Sequence, residues 1–169
     1  MKIPSKALYS LMHKMLEEFK QKFPKLNAST QNNNFTVLAG CDDYLNRLSL
    51  LKLDPSKFSK TFIVSADFSD AFTETQIPRL QESISSIGFI LGYNKLKIDL
   101  LTNLVSLVFS NCYFCTPSGL YRQSKGMPMG DYSSRDGLDC VLARSEYEII
   151  FLVNLLPQKI HLYARLVDD

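Results

Sequence analysis

Thr61-Phe62-Ile63-Val64-Ser65-Ala66 runs directly into Asp67. Its uncharged positions, rich in β-branched and aromatic side chains, predict a buried strand that delivers a carboxylate at its end. Downstream, Ile77 to Phe89 and Lys95 to Asn111 carry apolar residues at helical spacing, the second as a core stripe of Leu96, Leu100, Leu101, Leu104, Leu107 and Val108. Tyr113-Phe114-Cys115 and Leu120-Tyr121-Arg122 flank Thr116-Pro117-Ser118-Gly119, whose proline and glycine predict a hairpin turn. A glycine-bearing loop then precedes a long helix from Ser133 to Leu155, stopped by Pro157. Ile160 to Val167 alternates like a strand and ends on Asp168-Asp169.

Upstream, Leu8, Leu11, Met12, Met15, Leu16 and Phe19 predict a helix from Pro4 to Phe23, ended by Pro24. Asn27 to Asn34 is a polar connection, and a second helix is predicted from Asp42 to Leu53, before Asp54-Pro55. No repeat and no long linker divides the chain.

Two predicted strands thus end in carboxylates. Rigidly placed hard oxygen ligands are what a pair of Mg²⁺ ions about 3.5–4 Å apart requires while both ends of a phosphoryl transfer are stabilised. The segments around these carboxylates carry a resemblance. Asp67-Phe68-Ser69-Asp70-Ala71-Phe72 resembles the first palm motif of reverse transcriptases, in which an aromatic residue stands five positions after the aspartate. Gln123-Ser124-Lys125-Gly126-Met127-Pro128-Met129-Gly130-Asp131-Tyr132-Ser133-Ser134 resembles the second motif, and Arg165-Leu166-Val167-Asp168-Asp169 the third, in the family's order.

The resemblance spans Thr61 to Asp169 and implies an α+β fold. Residues 61–169 would be a polymerase palm, an antiparallel sheet packed on helices, and residues 1–60 an N-terminal helical region with part of the fingers. It implies that Asp67 and Asp168 bind two catalytic Mg²⁺ ions, which Mn²⁺ could replace, with Asp169 beside them. Asp70, Ala71, Phe72, Gln123 and Gly126 would form the nucleotide site, Asp70 meeting the triphosphate through its backbone N–H. Phe72 would be the steric gate, its ring leaving no room for a 2′-hydroxyl. Gly126 and Gly130 would let the backbone approach nucleotide and template, with Ser134 nearby. The implied activity is RNA-directed DNA polymerisation, with an RNA template, a DNA primer and deoxynucleoside triphosphates as partners.

Phe72-Thr73 followed by Ile77-Pro78, together with Met129, look most like Penelope-like retroelements. Telomerase is a close relative through the third motif, but Asp67 to Gly126 leaves no room for its insertion, and Met129 stands where glutamine would be expected. Non-LTR retrotransposon and intron-encoded enzymes are further relatives. Several positions depart from the family. Arg135 replaces a common proline, and Asp131, Asp136 and Asp139 make the region acidic beside a polyanion. The basic fingers motif has only Arg47, Lys52, Lys57 and Lys60 as candidates. The sequence stops before a return strand, primer grip and thumb, so this fragment alone is expected to be inactive or nearly so. The alternatives are a non-catalytic palm kept as an RNA-binding or assembly module and a telomerase-type enzyme.

Composition bounds this reading. The 169 residues, 46% apolar and 21% charged, suffice for one compact domain and exclude a disordered tail. A net charge of +2 names no partner, although six lysines against Glu17 and Glu18 make the first thirty residues basic. Four cysteines form no disulfide scaffold, and Cys112-Tyr-Phe-Cys115 is half a zinc site with His13 and His161 as the only histidines. Reduced thiols and apolar runs too short to span a bilayer lead us to expect an intracellular protein, nuclear or cytoplasmic.

Overall fold

A computed structural model describes residues 2–26, 35–38, 41–50, 55–56, 62–153 and 163–166. In chain order these form α1 (Lys2–Leu26), β1 (Phe35–Leu38), α2 (Cys41–Ser49), α3 (Ala71–Glu74), α4 (Ile77–Leu91), α5 (Lys95–Phe109), β2 (Tyr113–Thr116), β3 (Gly119–Arg122), α6 (Ser134–Val153) and β4 (Tyr163–Leu166). The chain is α+β. Among the described residues no helix is long and apolar enough to cross a membrane.

Four helices make the core, with α1, α4, α5 and α6 packed on one another. Leu8, Met12, Met15, Leu16 and Phe19 of α1 meet Leu80, Ile84 and Ile87 of α4, Leu101, Val105, Val108 and Phe109 of α5, and Cys140 of α6. Each such side chain contributes about 1.5–3 kcal/mol by leaving water. Helix α1 runs to Leu26, past the end expected at Pro24. Helix α4 continues to Leu91 and stops at Gly92, whose left-handed φ of 77° lets its N–H and that of Tyr93 cap the last carbonyls. Two residues after Gly92, Asn94 opens α5 by accepting from the Lys97 N–H at 2.9 Å.

The stripe expected to bury α5 is partly wrong. Leu96, Leu100 and Leu107 are exposed, and Leu101, Val105, Val108 and Phe109 face the core. Helix α5 is apolar around most of its circumference, so periodicity alone does not select the buried side.

The predicted strand over 61–66 also needs correction. Residues 62–68 belong to no helix or strand, and Phe62, Ile63 and Val64 are 85%, 88% and 86% exposed. High β-propensity describes a fit to a pleated, half-buried surface, and this run has no such surface among the described residues. The later strand does not join the expected antiparallel sheet among the described residues: β4 pairs in parallel with β1, Phe35 opposite Tyr163 and Leu38 opposite Leu166. β2 and β3 form the expected antiparallel hairpin, with Tyr113 opposite Arg122.

Polar ties fix α1 over the helix layer. Tyr93 donates to Glu18 at 2.6 Å, and Lys22 donates at 2.9 Å to the carbonyl of Leu91, at the negative end of α4. His13 Nδ1 lies 3.3 Å from Asp136 Oδ2 on α6, yet that buried oxygen has no aligned hydrogen bond. Burial pushes the Asp136 carboxyl up against the opposing pull of His13. Asp136 therefore binds its proton more tightly folded than unfolded. Its contribution to stability is full below the ordinary carboxylate range and is lost as pH rises through the raised value. Asp136→Asn is expected to gain about 1 kcal/mol at pH 7 and to flatten the melting profile between pH 7 and 4. An unchanged profile in thermal melts would show that the carboxyl carries no such penalty.

Candidate functional site

Asp67 lies in the exposed segment before α3, and its carboxylate has no hydrogen bond or ion pair among the described residues. Asp70 takes a φ of 55°, the left-handed region that Asp tolerates better than most side chains. From there its carbonyl accepts the Glu74 N–H at 2.9 Å and the Thr73 hydroxyl at 3.0 Å, which closes the single turn of α3. Phe72 is half-buried and leans on the hydrophobic core, so its position is braced from behind. Ala71 is half-buried beside it.

The loop after β3 is built against this turn. The Met127 N–H donates to the Phe72 carbonyl at 2.8 Å, and Lys125 Nζ meets Glu74 Oε1 at 2.6 Å. Between these contacts Gly126, buried at a φ of 76°, passes so close that a Cβ would lie 2.6 Å from Thr73 Cα and carbonyl oxygen. The space a side chain would need is thus filled by the backbone of α3. Gly130 differs: its φ is 84°, but nothing lies within 4 Å of where a Cβ would be. Gln123 steadies the loop, donating its N–H to the Cys112 carbonyl and its amide to the Lys125 carbonyl, both at 2.9 Å.

The acidic residues of this region turn inward. Asp131 accepts from the Ser133 N–H at 2.9 Å, the Ser133 hydroxyl and the Ser5 hydroxyl of α1, closing an Asx turn at the start of α6. Ser134 is buried and donates to the Pro128 carbonyl at 2.6 Å. Asp136 faces His13, and Asp139 is taken by Arg165. The acidity that looked unsuited to a polyanionic partner is absorbed by the fold. Lys6 of α1 lies over the Tyr132 ring, so the basic helix reaches this loop.

Arg165 is the residue whose role sequence reading missed. Only 7% exposed, it donates through Nε to Glu146 Oε1 at 2.5 Å and through Nη1 to Asp139 Oδ1 at 2.6 Å. The Tyr163 hydroxyl adds a bond to Glu146 Oε1 at 3.1 Å. Burial pushes the Glu146 carboxyl up against the pull of Arg165, and burial with the nearby Glu146 charge raises the Tyr163 hydroxyl to about 12. A signal existed: Asp139 and Glu146 stand two helical turns apart, on one face of the helix.

The structure thus brings Phe72 against Gly126 and ties β4 to α6. Asp168 and Asp169 lie outside the described residues, as do Lys52, Lys57 and Lys60, while Arg47 falls on α2. Among the described residues no group of three or more His, Cys, Asp or Glu side chains is placed to hold a metal ion. A surface cleft of about 360 Å³ between α4 and α6 contains none of the motif residues; Arg144 in it is paired with Glu82 and Glu148 at 2.9 and 3.0 Å. Set against known protein families, curated proteins and solved structures, the chain matches none.

Proposed function

We propose that the chain is the palm, with part of the fingers, of an RNA-directed DNA polymerase that adds deoxynucleotides to a primer 3′-hydroxyl. One observation carries this. The segment Asp67 to Phe72 and the loop Gln123 to Gly130, distant in sequence, interlock through the Met127 N–H on the Phe72 carbonyl, with glycine where any side chain would part them. Two motifs that would share one nucleotide site are therefore neighbours in space.

The donor chemistry fits Mg²⁺, since Asp67 offers an exposed, uncommitted carboxylate and hard oxygen suits that ion. Asp67 and Asp168 would hold the two metals, with Asp169 beside them. When bound, the ions supply charge stabilisation to the attacking and leaving oxygens. The protein's own share is placement and selection. Asp70 would offer its backbone N–H to the triphosphate. Phe72, braced by the core, would exclude a sugar 2′-hydroxyl. RNA template and DNA primer would be held mainly through their phosphates.

Primer extension on an RNA template with Mg²⁺ or Mn²⁺ tests this, run with the chain and, where its gene continues, with the product prolonged past Asp169. Extension that Asp168→Asn abolishes is the expected result. Equal extension by the prolonged protein and its Asp168→Asn variant, or none by the prolonged protein, would overturn the proposal; RNA retention without extension would mark an RNA-binding module instead.

A further inference from the structure

The β2–β3 hairpin leaves both of its faces open. Tyr113, Phe114, Leu120 and Tyr121 are 55%, 51%, 67% and 45% exposed. A two-stranded hairpin that holds so much apolar surface in water is marginal by itself, and contiguous exposed rings mark a surface that meets a partner. Its base, by contrast, is fixed: the Gln123 N–H donates to the Cys112 carbonyl and Arg122 Nε to the Ser110 carbonyl, both at 2.9 Å.

The register sorts the side chains. Phe114 and Tyr121 stand opposite each other on one face, their ring centroids 5.8 Å apart and their planes 21° from parallel. The Tyr121 hydroxyl shares a hydrogen bond with the Ser118 hydroxyl at 3.2 Å, which ties that ring to the turn. Tyr113 and Arg122 stand opposite each other on the other face. With Nε held by Ser110, the Arg122 guanidinium is oriented, and its terminal amino groups have no partner among the described residues.

Charge then selects the class of partner. The chain has 17 acidic residues, yet no Asp or Glu stands between Asp99 and Asp131, the span that holds the hairpin. Lys125, just beyond it, is engaged by Glu74, so Arg122 is the hairpin's uncommitted cation. Flat ring faces beside such a fork suit a ligand in which π-faces alternate with negative charge. An apolar protein surface would cover the rings and leave the fork unpaired.

The geometry points to the β2–β3 hairpin as a binding site for single-stranded nucleic acid: unpaired bases stack on Phe114, Tyr121 and Tyr113, and Arg122 pairs with a phosphate of the same strand. This extends the nucleic-acid reading above to a surface outside the three motif segments, and it holds whether or not the chain polymerises.

The test is fluorescence anisotropy of labelled oligo(U) and oligo(dT) of about 15 nucleotides with the whole chain, in EDTA and without deoxynucleotides, so that its outcome is separate from primer extension. Binding of either probe supports the inference, and the ratio of the two affinities names the strand preferred. Phe114→Leu with Tyr121→Leu keeps apolar bulk and removes the flat faces; it is expected to weaken binding about 10–100-fold at an unchanged salt slope. Arg122→Gln is expected to reduce the slope of log affinity against log salt by about 0.7. No binding by the wild type, equal binding by the folded double variant, or equal binding of a duplex of the same length overturns the inference. An unchanged slope in Arg122→Gln overturns the part given to Arg122. Self-association lost in the double variant, with neither probe bound, overturns it in favour of a second copy of the chain. Should the double variant not fold, Phe114→Trp decides, because the sequence holds no other tryptophan. Quenching of its fluorescence by bound oligonucleotide supports stacking at this face, and unquenched emission overturns it.

Discussion

Arg165→Leu alone is expected to lower stability by about 3–5 kcal/mol at pH 7. The substitution removes one cation and leaves Asp139 and Glu146 buried on one face of α6, with the Tyr163 hydroxyl, on Glu146, the one remaining donor to either among the described residues. Their mutual repulsion and lost hydration then act together. The pH dependence has a definite sign. Burial already holds the Glu146 carboxyl above its ordinary value, and Arg165 is the group pulling it down. Without Arg165 it rises further, so a larger share of folded stability is present only when the carboxyl is protonated. The deficit should be greatest near neutrality and shrink as pH falls toward 4.5. Urea titrations at the two pH values check this; a deficit independent of pH would mean that lost packing, not stranded charge, dominates.

Gly126→Ala should cost about 2–4 kcal/mol, far more than the same change at Gly130. Both residues have left-handed backbone, with φ of 76° and 84°, so the conformational penalty of about 1–2 kcal/mol is common to them. What differs is the neighbour. At Gly126 the new methyl would meet the Cα and carbonyl of Thr73 at 2.6 Å and the Phe72 carbonyl at 2.7 Å, and backbone cannot swing aside as a long side chain can. Relief requires α3 to move, which gives up the Met127 to Phe72 bond and the Lys125 to Glu74 pair. At Gly130 nothing stands within 4 Å. Denaturant titration of the two variants measures the difference, and equal losses would place the interlock elsewhere.

Much of the fold was legible because four helices carry their apolar residues at helical spacing, although α1 and α4 run past the ends read for them. The hairpin was legible from Thr116-Pro117-Ser118-Gly119. What periodicity and propensity do not encode is partnership. Thr61 to Ala66 has strand composition, but a strand also needs a neighbour, and β4 pairs with β1, a four-residue segment whose partner lies over a hundred positions away. The candidate site divides the same way. Residue types located the segments around Asp67 and Gly126, whereas the closeness of Gly126 to Thr73 is a property of two backbones brought together by tertiary packing. Asp131, Asp136 and Asp139 looked like a negative surface because sequence carries no sign of inward or outward. The fold supplies their partners.

The exposed run of Phe62, Ile63 and Val64 has a consequence for keeping the protein in solution. Six uncharged residues, four of them of high β-propensity, with neither proline nor glycine, are the composition from which intermolecular cross-β stacks grow. Lys60 and Asp67 bracket that run with opposite charges, the arrangement by which natural chains restrain sticky segments. Asp67 thus stands where a gatekeeper charge would restrain aggregation, apart from the metal role proposed for it. Neutralising it would lift that restraint along with any metal ligation, so inactivity in an Asp67 variant would mix two causes that Asp168→Asn keeps apart.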